Sequence, residues 1–304
     1  MDGAWRAYDS WVSRQVTAVA CYLAVVLLGV VRLKALGPGA KKSSGPLLRL
    51  TVQAHNLFLI VLSSWMSASA CLQAWRLRYR FWGNAYSDSQ ASMATVVYFF
   101  YVSKLYEFTD TVIMLLKGNA KQVSFLHVYH HMSISCIWWA IAFAAPGGDA
   151  WYSVFLNSLV HVFMYAYYFA ATALSDNPAA RRRYLWWGRY LTQFQMFQFV
   201  TMMAQAAYCW RFSPYPKPLS KLLFFYMQTL LALFAHFYVQ KYLSGAKRGR
   251  SGANGKITRA VENGSANGKD GASRHAGANG LGDCKANGHT EENYTIAAAG
   301  KKGR

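Results

Sequence analysis

The sequence predicts an all-helical integral membrane protein with about seven transmembrane helices. Long apolar stretches recur along the chain, and most approach the roughly 20 residues that a helix needs to cross the hydrocarbon core. The stretches are continuous, whereas the strands of a membrane barrel alternate apolar and polar residues. Apolar character ends near residue 243 of the 304-residue chain.

The seven candidate spans differ mainly in their polar content. The first is the shortest, and it lacks a small-residue cleavage site, so no cleaved signal peptide is expected. The third to sixth carry ionisable or amide side chains, which are costly in hydrocarbon. The predicted spans cover 16–31, 55–75, 94–116, 126–144, 154–174, 190–210 and 222–243.

Charge and cysteine content narrow the classes of function. The formal net charge is +20, with basic residues in the predicted loops and the tail. This placement favours membrane topology and anionic substrates over nucleic acid. The five cysteines are scattered without a CxxC pair, which argues against a disulfide framework or a zinc site.

Two regions are predicted: a transmembrane domain over 1–243 and a basic tail over 244–304. The tail repeats the triplet ANG and has little apolar surface to bury, so we expect it to be disordered. Lys301 and Lys302 fit the KKxx pattern of retrieval to the endoplasmic reticulum; the alternative is two lysines in a basic tail. A retrieval signal requires a cytosolic C-terminus, and seven spans then put the N-terminus in the lumen. The loops predicted to be cytosolic carry slightly more basic residues, which agrees with this orientation.

The third span contains KLYEFTDT at 104–111. Helical spacing places Lys104, Glu107 and Thr111 on one face, with Asp110 one turn from Glu107. The cluster is a candidate for catalysis or substrate binding. A structural ion-pair knot that fixes helix packing is the alternative, and the two are compatible.

Histidines mark the start of the fourth span, in HVYHH at 127–131. His127 lies three residues before His130 and four before His131, so all three can line one pocket. A lone histidine in a helix is usually a packed core residue. Three histidines at a membrane boundary indicate a catalytic or ligand-binding role.

The fifth and sixth spans add further polar residues at helical spacing. Three glutamines in one membrane helix need partners, so they either bind substrate or hold helices together. Because the third span runs toward the cytosol and the fourth and sixth start there, the topology predicts a polar pocket that opens to the cytosol. The candidates are Asn157, His161, Tyr165 and Tyr168 in the fifth span, and Gln193, Gln195 and Gln198 in the sixth.

Four motifs in this order resemble the ELO family of fatty acid elongases. They are KLYEFTDT (104–111), HVYHH (127–131), NSLVHVFMYAYY (157–168) and TQFQMFQF (192–199), and the resemblance extends over about 52–243. The residues of these motifs are most similar to those of the polyunsaturated, Δ6- or Δ5-type elongases of plants, mosses and algae. The resemblance implies a ring of helices around a narrow acyl tunnel, with one helix outside.

The activity implied is the condensation of an acyl-CoA with malonyl-CoA to 3-ketoacyl-CoA, CoA and carbon dioxide. It implies no cofactor and no metal, and partners among the ketoreductase, dehydratase and enoyl reductase of an elongation cycle. Imidazole suits this proton chemistry, so His130, with His161 nearby, would accept the acyl group or act as a base. The only cysteine near these histidines, Cys136, is expected to point to another face.

Other residues receive supporting roles in this interpretation. Glu107 and Asp110 would orient the imidazoles, and Asn157 and Gln193 would donate to an oxyanion. Cations at the cytosolic mouth would hold the phosphates of CoA. These cations are Lys117, Lys121, Arg181, Arg182, Arg183 and Arg189.

Two rival classes remain. Di-iron desaturases also use HxxHH boxes, but they need about eight histidine ligands, and four clustered histidines are too few. A seven-helix receptor or transporter tolerates charges in the membrane but leaves the histidine cluster unexplained. A polyunsaturated substrate is expected mainly from the resemblance. Polarisable side chains in spans five and six would suit such a chain, unless they face lipid: Phe163, Met164, Tyr167, Met196, Phe197 and Phe199.

Overall fold

The computed structural model describes residues 2–37 and 45–243, with side chains for 10–37 and 45–241, and within these residues the regular structure is entirely helical. The predicted all-helical fold class is confirmed. A 3-10 turn (Ala120–Gln122) and a final π-helical turn (Val239–Leu243) accompany the α-helices. These are α1 (Asp2–Ala35), α2 (Pro46–Arg76), α3 (Ala91–Tyr106), α4 (Phe108–Leu116), α5 (Phe125–Ala144), α6 (Ala150–Ala173), α7 (Pro178–Tyr184), α8 (Gly188–Phe212) and α9 (Lys217–Tyr238).

Six long helical segments close into a ring made of two halves. In the first half α2 packs on α3 and α3 on α5; in the second α6 packs on α8 and α8 on α9. The contact of α2 with α6, the most extensive in the ring, and that of α5 with α9 join the halves. Helix α1 lies outside and packs against α4 and α5. The expected ring with one outer helix is therefore present.

The ring and α1 together form the membrane-spanning part of the protein. Four stretches in the ring and in α1 are long and apolar enough to cross a bilayer: Ser10–Ala35, Pro46–Arg76, Ala150–Ala173 and Lys217–Lys241. The other predicted spans, α3 with α4, α5 and α8, are held in the same ring but carry more polar side chains. Large apolar side chains such as Leu28, Val61 and Phe197 are exposed on the outside, as expected for a lipid-facing surface.

The third predicted span departs from a continuous helix. Residues 94–116 were expected to form one helix, but α3 ends at Tyr106 and α4 begins at Phe108. At the junction the Asp110 amide donates to the Glu107 carbonyl, three residues back, at 3.1 Å. This tighter local turn redirects the backbone where Lys104, Glu107 and Asp110 must all reach the ring interior.

The two ends of the ring are unlike each other. We call the end formed by the α2–α3, α5–α6 and α8–α9 loops (77–90, 145–149 and 213–216) the closed end. The end formed by 117–124, 174–187 and the start of α2 is the open end. At its start α5 is capped by Ser124, whose hydroxyl accepts from the His127 amide at 3.2 Å, so the histidine motif begins at the open end.

The predicted tail, 244–304, lies outside the described residues. Its expected disorder, the retrieval signal at Lys301 and Lys302, and the domain boundary after residue 243 all stay predictions.

Candidate active site

A cavity of about 360 Å³ occupies the open-end half of the ring, between its two halves. Both halves supply polar side chains to its wall, which a purely structural packing interface would not require. The predicted residues that line it are Glu107, Asp110, Lys117, His127, His130, His131, Asn157, His161, Tyr165, Tyr168, Arg181, Gln195 and Gln198.

A buried ion pair of the first half contacts α6 of the second half at the inner end of the cavity. The Lys104 ammonium donates to the Glu107 carboxylate at 2.8 Å and to the Asn157 amide oxygen at 3.0 Å. His161 Nδ1 approaches the same Glu107 oxygen at 3.4 Å. Lys104 and Glu107 are each 1% exposed, so neither charge has water to solvate it. The other Glu107 oxygen, Oε2, has no hydrogen-bond partner in the part of the chain that the structure describes.

The three motif histidines line the cavity from one face of α5. The rings of His127 and His131 lie 4.4 Å apart, and those of His130 and His131 lie 5.5 Å apart. His127 Nε2 hydrogen-bonds Thr111 Oγ1 at 2.7 Å. Among the described residues, the Nδ1 atoms of His127 and His131 are buried without a partner. A buried polar atom without a partner needs an explanation, and a molecule or water bound in the cavity would supply one.

Asp110 links α2, α4 and α6. One of its oxygens lies 2.8 Å from His55 Nε2, and the other accepts from the Tyr165 hydroxyl at 2.8 Å. Tyr165 in turn places its ring edge-on to His161, with centroids 5.6 Å apart. Asp110 therefore fixes the position of Tyr165 beside the histidines.

The open end of the cavity is basic. Lys117 and Arg181 line it, together with Arg49, which forms an exposed ion pair with Asp176. Burial lowers the pKa of Lys117, because the charged ammonium loses solvation there. A basic rim over a largely apolar interior suits an amphiphilic anion.

Some predicted residues are not brought to the cavity. Gln193 is exposed and donates to the Tyr238 hydroxyl at 2.8 Å. Lys104 and Thr111 stand behind the wall, bonded to Glu107 and to His127. The remaining predicted cations are exposed outside the lining: Lys121, Arg182, Arg183 and Arg189. Of the aromatic candidates for an acyl lining, Phe163 and Phe197 are 46% and 60% exposed and face outward.

The structure also adds residues that the sequence analysis left aside. His55 and Asn56 line the cavity from α2, and Asn119 and Gln122 line it from the loop after α4. The signal available for His55 and Asn56 was two adjacent polar residues inside an apolar stretch. Cys136, by contrast, is exposed and does not line the cavity.

The titratable groups do not have the geometry of a metal centre. Within 2–37 and 45–243, no group of three or more His, Cys, Asp or Glu side chains is arranged to hold a metal ion. The histidines instead pair with Thr111, Glu107 and Asp110.

A ring of membrane helices around a histidine-lined cavity, closed by a buried ion pair, defines a multi-pass membrane protein with an internal polar site. The model of the ELO family, described as the GNS1/SUR4 family, matches residues 8–250. The chain belongs to this family.

Curated relatives carry elongase names. "Fatty acid elongase 6" of Leishmania major is 44% identical over 193 residues, covering 61% of this chain and 50% of the relative. "Very long chain fatty acid elongase 5" of Mus musculus is 36% identical over 250 residues, covering 80% of this chain and 79% of the relative. The Homo sapiens protein of that name is 36% identical over 251 residues, with the same coverage. The chain thus spans about half the length of the Leishmania major protein and most of the two mammalian ones.

Proposed function

We propose that the protein is an enzyme of fatty acid elongation that condenses an acyl-CoA with malonyl-CoA. The products are a 3-ketoacyl-CoA two carbons longer, free CoA and carbon dioxide. The observation that carries the proposal is the cavity itself: five histidines and a buried ion pair stand behind a basic mouth. The family and the names of the relatives support the same activity.

Condensation requires oxyanion donors, proton-transfer groups and cations for the CoA phosphates, and this cavity can supply all three. Loss of carbon dioxide from malonyl-CoA leaves an enolate, so the site needs hydrogen-bond donors for developing oxyanions. Attack on the acyl thioester expels a thiolate, so it also needs groups that move protons near neutral pH. The phosphates of CoA need cations outside the reacting centre, and Lys117 and Arg181 stand there.

The roles follow from the position of each side chain. His130 accepts the acyl group or acts as the base, with His161 beside the Glu107 carboxylate as its partner across the cavity. Asn157, already bonded to Lys104, donates to an oxyanion through its amide nitrogen. Asp110 holds Tyr165 and His55, and Glu107 orients His161.

The direct test is condensation by the purified full-length protein in lipid nanodiscs. A long-chain acyl-CoA and malonyl-CoA should give 3-ketoacyl-CoA, CoA and carbon dioxide in equal amounts, by mass spectrometry and trapped gas. His236→Ala is the matched control, since His236 is exposed on α9 and bonded to Gln240. No product from the wild-type protein with any long-chain acyl-CoA would overturn the proposal.

The covalent and non-covalent routes differ before malonyl-CoA is added. If histidine is acylated, acyl-CoA alone should release CoA in about stoichiometric amount, with the acyl mass on His130 or His161. If histidine acts only as a base, CoA appears only after malonyl-CoA is present. Histidine is a better candidate than cysteine for the acyl acceptor, because Cys136 is exposed and does not line the cavity.

We propose that the reaction uses no cofactor and no redox metal, because it involves no net oxidation or reduction. Activity should persist in the presence of strong chelators and in the absence of oxygen. Loss of activity on chelation, restored by iron, would contradict this and favour a desaturase-like chemistry.

The substrate class we propose is a polyunsaturated acyl-CoA with a double bond close to the carboxyl end. The similarity to Δ6- and Δ5-type elongases of plants, mosses and algae supports this class. Met164, Phe199 and Phe234 line the cavity and give it a polarisable wall. Yeast expressing the protein and fed a Δ6-unsaturated eighteen-carbon acid should accumulate the product two carbons longer. Extension of the yeast's own saturated acids, with the feed untouched, would refute this substrate class.

We infer a location in the endoplasmic reticulum with a cytosolic C-terminus, where ketoreductase, dehydratase and enoyl reductase would complete each cycle. Lys301 and Lys302 support this location. Replacing both by serine should release a fluorescently tagged protein toward later compartments.

A further inference from the structure

Helix α1 stands outside the ring, yet it sends two buried polar side chains inward. Gln15 and Tyr22 are each 4% exposed, whereas the apolar side chains around them face outward. A polar group in hydrocarbon must find a partner, so these two residues fix how α1 docks. They reach different places in the ring.

Among the described residues, Gln15 bonds to Ser135, Cys136 and Tyr101. Its amide nitrogen donates to Ser135 Oγ at 3.1 Å, and its oxygen accepts from the Tyr101 hydroxyl at 2.9 Å. Ser135 and Tyr101 do not line the cavity. This contact therefore attaches α1 to α3 and α5 without touching the candidate active site.

Tyr22 reaches the active-site wall. Its hydroxyl lies 3.2 Å from Thr111 Oγ1, and the same Thr111 oxygen lies 2.7 Å from His127 Nε2. The Tyr22 ring stacks on Phe108 with centroids 4.2 Å apart, which holds the hydroxyl in place. Thr111 is completely buried and His127 is 3% exposed, so water does not compete for these bonds. We call this chain of bonds the Tyr22–Thr111–His127 relay.

The direction of the relay follows from counting protons. Each hydroxyl has one proton to donate. If Tyr22 donates to Thr111, Thr111 donates to His127 Nε2, and both hydroxyl protons have acceptors. In the reverse order the Tyr22 proton has no acceptor among the contacts of the described residues, in an apolar setting where that is costly. The forward order makes Nε2 an acceptor, and the proton of the neutral imidazole then sits on Nδ1.

We propose that Tyr22 and Thr111 are positioning residues that hold His127 in the Nδ1–H tautomer. His127 Nδ1 has no hydrogen-bond partner among residues 2–37 and 45–243, and His127 lines the cavity. It is thus a hydrogen-bond donor kept for a bound substrate, and its chemistry fits the carbonyl oxygen of a thioester. This inference rests on the proposed function for its substrate but not for the tautomer.

The test compares hydroxyl losses at two points where α1 meets the ring. Tyr22→Phe keeps the ring that stacks on Phe108 and removes only the hydroxyl of the relay. Tyr101→Phe removes a buried hydroxyl bonded to α1 through Gln15, away from His127. Thr111→Val breaks the relay at its centre, and Thr111→Ser restores the hydroxyl.

Two readouts are needed, both on the full-length protein in nanodiscs. The first is steady-state condensation: we expect kcat to fall about tenfold in Tyr22→Phe and more in Thr111→Val, with KM little changed and Thr111→Ser near wild type. The second is ¹⁵N NMR of ring-labelled histidine without substrate, with the His127 signals identified by their loss in His127→Gln. The Nδ1-protonated pattern of His127 should shift toward a tautomer mixture in Tyr22→Phe and Thr111→Val only.

The outcomes separate the relay from the enzyme assignment. Unmoved His127 signals and wild-type kcat in Tyr22→Phe would overturn the relay, as would equal losses in Tyr101→Phe, which would indicate loosened docking of α1. If the wild-type protein makes no condensation product, the proposed function fails, and the NMR readout alone decides the tautomer.

Discussion

Two buried carboxylates, one in each end of the ring, have opposite surroundings. Glu107 lines the 360 Å³ cavity of the open end, and no described residue bonds to its Oε2. Asp149 lies at the closed end beside a void of only about 20 Å³. Its carboxylate accepts from the amides of Gly83 and Asn84, and from side chains of Asn84, Cys209 and Ser213.

The comparison shows how a functional carboxylate differs from a structural one. Asp149 ties the α2–α3 loop to the last turn of α8, and Gly148, at a φ of 51°, presses against that loop so that a Cβ would meet the Asn84 carbonyl at 2.8 Å. Both oxygens of the Asp149 carboxylate accept hydrogen bonds from described residues. Glu107, a lining residue of the cavity, has one buried oxygen without a partner among the described residues, which is costly for folding and typical of a functional site.

The largest expected effect is at the open end, in His130→Ala. Removal of an acyl acceptor or base should lower kcat by about 10²–10⁴-fold, because no other cavity group has its position. Condensation assays on membranes with matched protein levels measure this. Wild-type turnover by a correctly inserted variant would remove His130 from the chemistry.

The second-largest effect is expected at the Lys104–Glu107 ion pair. Lys104→Met leaves Glu107 as a buried, uncompensated charge, and the cost should be about 3–5 kcal/mol in the free energy of unfolding. The double variant Lys104→Met/Glu107→Gln removes both charges and should regain most of that stability without regaining condensation. Thermal unfolding in nanodiscs, run beside the activity assay, distinguishes the two. A double variant that is both stable and active would make the pair purely structural.

At the closed end we expect a substitution to lower stability and to leave kcat nearly unchanged. Asp149→Asn puts an amide group among donors that need an acceptor, so stability should fall by about 1–3 kcal/mol. At a temperature where the variant stays folded, kcat should be near wild type. Asp88→Asn, in the same loop but exposed, is the control. A lost kcat with unchanged stability would contradict the division between the two ends.

The smallest effect concerns the mouth and depends on pH. Burial lowers the pKa of Lys117 below its ordinary 10.5, so its positive charge is present at low pH and is lost as pH rises, earlier than for an exposed lysine. KM for acyl-CoA should therefore increase as the pH rises toward the lowered pKa of Lys117, by up to about fivefold for one phosphate contact. Lys117→Arg should flatten this rise, since arginine stays charged, while Lys121→Arg should not. Identical pH profiles in all three proteins would place Lys117 outside the binding site.

The helices were predictable from sequence because hydropathy over 20 residues is a local property. The sequence also predicted which side chains share a helix face where they lie three or four residues apart, as in 127–131. Gln193 and Gln195 lie two apart, hence on nearly opposite faces, and only Gln195 reaches the cavity. His55 was not assigned because it lies apart from the other histidines in the sequence; packing of α2 brings it to Asp110. The break at Glu107 depends on backbone turns that hydropathy does not record.

The order of helices around the ring carries a consequence for biosynthesis. Along the chain α2, α3 and α5 emerge first and α6, α8 and α9 later, and the two halves meet where α2 packs on α6 and α5 on α9. The histidine motif, made with the first half, must wait in the translocon or in lipid until α9 arrives. A ribosome-stalled chain that ends before α9 should therefore remain bound to membrane chaperones. The insertion of α9 would complete the ring.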